Sequence, residues 1–328
     1  IFLSVTQFPP DFALAAAIGV LILVISVVGL ILQLRVTGPR EQYETIGGRE
    51  ATGRIYRYDL GRLKWPVIVG VGAALILFYI LPIFTIALSS FQTTFVGFNF
   101  ELADWTTFNY TNILWGTRSD QFWQALVNSL IISGLGAGIG MFVASFASYI
   151  IIKSESPVGE FLNILTLSPT AIPGIVIAVS LFWIFVTYKL AGLFGTVWII
   201  IIAFTAKFIV YGTRATNSAF RSLSDELEEA AQVSGANLFT IFKDVFIPLI
   251  KPGFVAGYLL LFIDYLKVLS IPLVLRGQGN TNLAVYIWDV NAAGYPSIAA
   301  AISTILIGII FLLYTGIKFF TSYDLAEI

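Results

Sequence analysis

The sequence of 328 residues contains no cysteine and no histidine, and only one methionine. The chain therefore cannot form disulfides or the usual zinc sites, and it lacks the imidazole base of most proton-transfer chemistry. Charged residues are scarce, at 11% against about 25% in a soluble domain. The formal net charge of −1 indicates no nucleic-acid partner, because such proteins are basic. Thiol enzymes, zinc enzymes and nucleic-acid binders are thus disfavoured.

Apolar residues dominate the composition instead. They make up 58% of the sequence, and the mean hydropathy is +0.89. A helix needs about 20 apolar residues to cross a bilayer. Seven runs of suitable length predict an all-α integral membrane protein, a polytopic helical bundle. The predicted spans lie near residues 12–35, 66–90, 125–151, 158–187, 193–213, 253–276 and 297–319.

Lysine and arginine are distributed unevenly among the loops between these spans. Residues 35–64 hold seven of them and residues 214–251 hold four. The loops on the other side hold only Arg118, Lys189 and Arg276. Because positively charged loops stay in the cytoplasm, we expect the two richer loops to be cytosolic.

One of these cytosolic loops carries a markedly polar segment. Residues 227–235 read Leu-Glu-Glu-Ala-Ala-Gln-Val-Ser-Gly, and Val245, Ile247 and Pro248 follow. Acidic residues favour the amino-terminal end of a helix, small alanines permit close approach, and Gly235 can leave helical geometry. Such a helix is suited to docking a cytosolic partner. The alternative is a solvated loop helix whose charges only keep it in water.

This polar segment resembles the EAA signature of the permease subunits of binding-protein-dependent ABC importers. Val245 stands where the signature usually has isoleucine. The resemblance implies a coupling helix at 224–235 that receives the motion of an ATPase. The residues that would couple to the ATPase are Glu228, Glu229, Ala230, Ala231, Gly235, Ile247 and Pro248.

The same resemblance implies a fold and a set of partners. The fold would be a type I ABC importer permease-like core of six helices in a prokaryotic plasma membrane. The partners would be a cytosolic ABC ATPase dimer, an extracytoplasmic substrate-binding protein, and a preceding homologous permease half or a second permease. ATP and Mg would be used by the ATPase, since the glycines near 47–53 lack the Lys-Ser or Lys-Thr pair of a nucleotide-binding loop. This chain would have no catalytic residue, bound cofactor or metal.

Candidates for the translocation path lie inside the predicted spans. Pro169, Pro173 and Gly174 interrupt the fourth span and free backbone groups from helical bonding. They indicate either a broken helix beside the path or a simple packed kink. Asp264 and Lys267 share one face of the sixth span, where they can line the path or pair with each other.

Three further polar residues in the spans are weaker candidates. Lys207 is expected to extend towards the cytosolic interface, with its charge in water. Asn128 and Ser129 lie near the outer end of the third span. The outer segment over 91–124 is rich in aromatic residues, which indicates interfacial anchoring or contact with an external binding protein. It also contains a glycosylation pattern at Asn109.

A short internal repeat predicts the domain organisation. Leu-Ala-Ala-Ala-Ile at 14–18 is similar to Ile-Ala-Ala-Ala-Ile at 298–302, and each opens a predicted span. Internal repeats are common in transporters. We therefore expect the first span to be the last helix of a preceding, related half. The predicted domains are that helix (1–35), a basic cytosolic linker (36–65), a permease domain (66–320) and a cytosolic tail (321–328).

Two stretches outside the polar segment resemble particular groups of importers. Residues 165–175 are similar to a stretch in permeases for ferric iron, thiamine and polyamines, and residues 275–280 with 286–288 are similar to an external segment of the ferric-iron group. Val268 departs from these groups, which often have glutamate there. The resemblance implies ferric iron as cargo, with thiamine, polyamines, sulfate and molybdate still open.

Two function classes follow from these observations. The first is a permease that forms the solute path and is coupled to a separate ATPase. The alternative is an ion-coupled secondary transporter or channel, in which Asp264 and Lys267 would be the coupling site.

Overall fold

The computed structural model describes residues 1, 4, 11–37, 61–96, 99, 101–153, 157–188, 192–221, 223, 225–237 and 240–324. Within these ranges the chain is almost entirely helical. Most of the predicted linker and the last four residues of the predicted tail lie outside them. The helices are α1 (Phe12–Thr37), α2 (Gly61–Ser89), α3 (Phe108–Leu114), α4 (Ser119–Lys153), α5 (Pro157–Leu167), α6 (Gly174–Thr187), α7 (Val197–Arg221), α8 (Asp225–Val233), α9 (Ile241–Lys267), α10 (Ser270–Leu275), α11 (Leu283–Ala292) and α12 (Pro296–Asp324).

The helices confirm the predicted class of an all-α membrane protein. Among the described residues, five helices are long and apolar enough to cross a bilayer: α2, α4, α7, α9 and the Pro296–Gly316 part of α12. The pair α5 and α6, bent by 106° at a short break, makes a sixth candidate. In α1 the apolar stretch Ala13–Gly29 is shorter. Each of the seven predicted spans therefore falls on a helix or a broken pair of helices.

Prolines shift one predicted boundary. The sixth span, predicted over 253–276, begins at Ile241 and runs through Pro248 and Pro252. A proline ring clashes with the carbonyl four residues earlier. The turn over Ile241–Phe246 is a wide π-helical one, and it contains that carbonyl for Pro248. The wider turn lets the helix continue where the sequence predicted a loop.

The chain divides into two compact units. The first comprises residues 1–29 and 120–286, and the second comprises 30–119 and 287–328. In the first unit, α4, α7 and α9 share a core, and a Cβ atom on Gly257 would lie 2.7 Å from Met141 Cε and 3.0 Å from Ala215 Cβ. This close approach of three helices through a small residue is typical of membrane proteins.

The first helix, as far as Gly29, also belongs to the first unit. Ala15 is buried, and Gly19 lies beside Val176 of α6. In the second unit, the equivalent alanine of the internal repeat, Ala299, is buried at the start of α12. The first alanine of each run is thus a packing position.

In the second unit, α12 packs against the last turns of α2 and against α3. Asn109 of α3 is only 3% exposed, and its Nδ2 donates to the carbonyls of Ser90 and Gln92, both at 2.9 Å. The glycosylation pattern at Asn109 therefore marks a buried structural amide, since the nitrogen that would carry the sugar is engaged. The single β bridge of the described ranges, between Gln92 and Trp105, lies beside it.

Candidate functional site

The polar segment predicted from the sequence folds as the short helix α8. Its chain reversal depends on Gly235, whose φ of +84° lies in the left-handed region. The Ala236 N–H donates to the Ala231 carbonyl at 3.0 Å across that residue. This bond is the one that closes a Schellman motif, a common helix end with glycine in the left-handed conformation. The predicted role of Gly235 as the end of the helix agrees with this geometry.

The inner face of α8 rests on a group of buried side chains that we call the base cluster: Phe220, Ile241, Phe242, Phe246 and Ile250. Ala231 and Ala236, on either side of the reversal, both pack against it. Tyr149 and Ile152 of α4 complete the contact. The base cluster thus joins α8 to three membrane helices, because its members and neighbours belong to α4, α7 and α9.

The outer face of α8 is exposed within the described part of the chain. Leu227 is 42% and Val233 is 90% exposed, and Ala230 between them is also exposed. These three residues follow one another at intervals of three, so they form one apolar stripe. The carboxylates of Glu226 and Glu229 are exposed as well. An apolar stripe flanked by carboxylates on an exposed helix suits a groove in a partner protein.

The remaining residues of the signature are dispersed. Val245 packs against the base cluster, whereas Ile247 and Pro248 are exposed on α9. The side chain of Glu228 and residue 224 lie outside the described part of the chain. The structure therefore brings Ala231, Ala236 and Val245 together on the base cluster, whereas Ile247 and Pro248 are exposed.

Asn237 holds the start of the returning helix. Its Oδ1 accepts hydrogen bonds from the Thr240 backbone N–H at 2.9 Å and from Thr240 Oγ1 at 3.0 Å. This arrangement is a helix N-cap. The pattern Asn-x-x-Thr, which begins two residues after Gly235, would have indicated this cap in the sequence.

The fourth span is broken, as its prolines predicted. A 3₁₀ turn over Ser168–Thr170 follows α5, and the backbone at Pro173 is extended, with ψ of 140°. Because proline has no N–H, Pro173 cannot donate to the carbonyl of Pro169, its partner in a continuous helix. The Pro169 carbonyl accepts instead from the Ile172 N–H at 3.2 Å. Lys207 Nζ also donates to this carbonyl, at 2.8 Å, and to the Ile172 carbonyl.

The expectation that Lys207 extends to the cytosolic interface is wrong. The fifth span was predicted to end at residue 213, but α7 continues to Arg221. Lys207 therefore lies near the middle of the helix, about four turns from its end. A charged group at such depth costs about 3 kcal/mol on insertion scales, which favours the two carbonyl partners that the broken span provides.

A second interruption faces the first. Helix α9 ends at Lys267, and Val268 is extended before α10 begins. A Cβ atom on Gly174 would lie 2.8 Å from Ser270 Oγ and 3.4 Å from Ile271 Cγ1. The breaks in the fourth and sixth spans therefore meet. Discontinuous helices that meet inside a bundle are typical of transporter binding sites.

Asp264 and Lys267 pair with each other beside the second break. The Lys267 Nζ to Asp264 Oδ1 distance is 2.6 Å, and the side chains are 56% and 21% exposed, respectively. Of the two alternatives for these residues, the structure shows the mutual ion pair.

Asn128 and Ser129 of α4 fix an outer segment of the chain. Asn128 Nδ2 donates to the carbonyls of Gly279 at 2.9 Å and Thr281 at 3.0 Å. Ser129 Oγ accepts from the Leu283 N–H at 2.7 Å. These residues, proposed for the path, thus bind the loop that follows α10.

Replacing Asn128 by alanine is expected to loosen this loop. The change removes two hydrogen bonds, each worth about 1 kcal/mol, so amide hydrogen exchange over 277–283 should accelerate about thirtyfold. Gln124→Ala is the matched control, because its contact to Gly279 is long at 3.4 Å. Mass spectrometry of deuterium uptake measures the effect. Equal protection in the two variants would contradict this role of Asn128.

Comparison with known proteins agrees with this geometry. The family described as binding-protein-dependent transport system inner membrane component matches residues 136–317. The Fe(3+)-transport system permease protein FbpB 2 of Haemophilus influenzae is 29% identical over 200 residues, which cover 61% of this chain and 38% of that protein. The ferric transport system permease protein FbpB of Actinobacillus pleuropneumoniae is 28% identical over 301 residues, or 90% and 42%. The chain spans about two fifths of the length of these relatives.

A solved structure has a similar fold. A chain in the crystal structure of a bacterial alginate ABC transporter, in complex with an alginate pentasaccharide-bound periplasmic protein, aligns with a TM-score of 0.57 and 18% identity. The alignment covers 77% of this chain and 91% of that one. The family match extends over more than half of the sequence and contains the polar segment, both breaks and the base cluster. The chain belongs to the family of inner membrane components of binding-protein-dependent transport systems.

Proposed function

We propose that this chain forms the solute path of an ABC importer and is moved by separate cytosolic ATPases. The observation that carries the proposal is the geometry of α8. One face of this helix is fixed to three membrane helices through the base cluster, and a neighbouring apolar stripe is exposed. A helix that is anchored through one face and exposed on another can be displaced by a partner that binds the exposed face.

The base cluster transmits a displacement of α8 to the membrane helices α7 and α9. Phe220 ends α7, and Phe242 and Phe246 begin α9. Their rings are in contact, with 5.6 Å between the centroids of Phe220 and Phe246. Because protein interiors are close-packed and resist compression, a displacement of α8 moves both helices as a rigid body.

The partners follow from this mechanism. We infer that a pair of ATPase subunits binds α8 and hydrolyses ATP with Mg, while this chain carries no ATPase site of its own. A second permease half, or a second permease, would present the equivalent helix to the other ATPase. An extracytoplasmic binding protein would deliver the solute to the outer side.

Ferric iron is the proposed cargo. Support comes from the two FbpB proteins, which are ferric-iron permeases by name, and from the outer segment after α10. The alternative of an ion-coupled transporter gains no support from the structure, because the Asp264 carboxylate is already paired with Lys267.

Replacing Glu229 by lysine tests the docking of the ATPase. The substitution reverses the charge of an exposed carboxylate beside the apolar stripe without changing any buried contact. We expect the ATPase recovered with the affinity-purified membrane complex to fall at least about tenfold, since like charges across an interface cost several kcal/mol. Glu160→Lys is the matched control, because it makes the same change at an exposed position of α5.

Uptake completes the test. Liposomes containing the complete complex, its ATPase and its binding protein should accumulate radioactive ferric iron only with internal ATP. Glu229→Lys should lose this uptake and Glu160→Lys should retain it. Accumulation driven by an ion gradient without ATP, or full ATPase recovery with Glu229→Lys, would overturn the proposed function.

A further inference from the structure

The broken span contains two backbone carbonyls that lack the N–H donor of a continuous α-helix, and a side chain of another helix binds both. Pro173 has no N–H for the Pro169 carbonyl, which accepts instead from the Ile172 N–H at 3.2 Å. The Ile172 carbonyl also lacks its α-helical donor, since the Val176 N–H donates to the Pro173 carbonyl instead. Lys207 Nζ donates to both oxygens. This contact holds α7 against the junction of α5 and α6.

The character of this contact differs from that of an ordinary buried ion pair. The partners of Lys207 are backbone dipoles at the carboxyl end of α5 and its 3₁₀ extension, where the helix dipole favours a cation. The Asp264 carboxylate is engaged by Lys267. The contact therefore depends on the position of the carbonyls, and hence on the bend of the fourth span.

Lys207 and the base cluster are connected through one unbroken helix. Phe220 lies thirteen residues further along α7, about 20 Å at 1.5 Å per residue. Between them α7 packs on α4 and α9: Ser148 of α4 bonds to Thr216 at 2.6 Å, and Ala215 lies against Gly257 of α9. When Phe220 is displaced, Lys207 is therefore displaced by nearly the same distance, because one continuous helix joins the two residues.

The junction that Lys207 holds is also the one that meets the second break. Gly174 begins α6 directly after the bound carbonyls, and it lies against Ser270 and Ile271 of α10. A movement of Lys207 changes the bend at Pro173 and, with it, the contact between the two interrupted spans.

We propose that Lys207 is a positioning residue that ties the bend of the fourth span to the movement of α7, so that displacement of α8 opens or closes the junction of the two breaks. The proposal rests on the proposed function, because it needs a partner that moves α8. Loss of the ammonium leaves α8 and its docking surface intact but disconnects them from the junction. ATP hydrolysis then continues without transport.

The first test compares uptake with hydrolysis in the complete reconstituted complex. Ferric iron on the binding protein is the probe, and the measured quantity is the iron taken up per ATP hydrolysed. Lys207→Met should lower this ratio about tenfold, the size expected from losing hydrogen bonds to a charged group. Lys207→Arg should retain most of it, because the guanidinium also donates to carbonyls. Lys251→Met on α9, at an exposed position, is the control for loss of a lysine.

The absence of cysteine permits a second test after assembly. Lys207→Cys places the only thiol in the chain. Alkylation of the assembled complex with 2-bromoethylamine restores an ammonium at lysine's length, whereas 1-bromopropane adds the same length without charge. The first reagent should recover the ratio of iron to ATP, and the second should not. Mass spectrometry confirms that each reagent has reacted.

The outcomes separate this inference from the function on which it rests. If the unmodified complex shows no ATP-dependent uptake, the proposed function fails. If it transports iron and Lys207→Met does so with an unchanged ratio, only the role of Lys207 is overturned. Equal recovery with both alkylating reagents, or a parallel loss of hydrolysis and uptake in Lys207→Met, reduces Lys207 to a packing residue and also overturns its role.

Discussion

Replacing Gly235 by valine is expected to abolish uptake while the protein still inserts in the membrane. At φ of +84° a β-branched residue is strained, and the left-handed conformation costs about 1–2 kcal/mol for side chains with a Cβ. Helix α8 has only nine residues and is marginal without its closing bond. The bond from Ala236 to Ala231 should break, and both alanines should leave the base cluster. We expect ATP-dependent uptake to fall at least about tenfold, at unchanged amounts of protein in the membrane.

Asparagine at the same position separates strain from size. No atom lies within 4 Å of a Cβ placed on Gly235, so both substitutions have room. Asparagine adopts the left-handed conformation far more readily than valine does. Gly235→Asn should therefore retain most of the uptake. Transport at the native rate by Gly235→Val would refute the idea that this turn positions α8.

Replacing Gly257 by leucine is expected to have the largest effect on stability. Even a Cβ atom there would approach Met141 to 2.7 Å and Ala215 to 3.0 Å, so a full side chain forces α4, α7 and α9 apart. Overpacking a close-packed core costs about 1–3 kcal/mol and sometimes more. The melting temperature of the detergent-purified complex should fall by several degrees, and α8 should lose its support because all three helices carry it.

Two further variants test whether crowding at Gly257 causes the loss of stability. Gly308→Leu makes the same change in α12, where no atom lies within 4 Å of the added Cβ, and it should leave the melting temperature almost unchanged. Met141→Ala removes the atoms nearest to Gly257. Combined with Gly257→Leu, it should recover part of the loss, because the two sites share one space. Equal melting temperatures for the two leucine variants would show that the three helices tolerate separation.

The helix and turn of the polar segment were predictable from the sequence because the residues that determine them are neighbours in the chain. The reversal at Gly235 depends on the conformational freedom of one residue, and the helix before it on neighbouring acidic and small residues. The same holds for the break at Pro173, since a missing N–H acts on its own helix wherever the rest of the chain lies.

The contacts that depend on distant residues were not predictable in this way. Lys207 is 38 and 35 residues from the carbonyls that it binds, and nothing near it in the sequence indicates them. Asn128 binds a loop about 150 residues away. For such side chains the sequence shows only a polar group in an apolar span. Which partner satisfies that group is decided by the packing of the helices.

The role of the aromatic residues around the polar segment was only partly predictable from the sequence. Phe220, Phe242 and Phe246 flank it closely in the sequence, and their spacing alone would have indicated a hydrophobic support. The sequence predicted a helix suited to docking a partner, but not the cluster that supports it from within the chain. It did not predict that α4 would contribute Tyr149 to that support.

Met141, the only methionine in this sequence, is fully buried where α4, α7 and α9 meet. Growth on methionine with a carbon-13 methyl group would therefore give one NMR signal from the interior of this sequence. Its chemical shift is sensitive to the aromatic and aliphatic groups around it, so nucleotide-driven displacement of the three helices would be visible as a change in one line. The native side chain would therefore report the movement that we propose for these three helices, without an attached label.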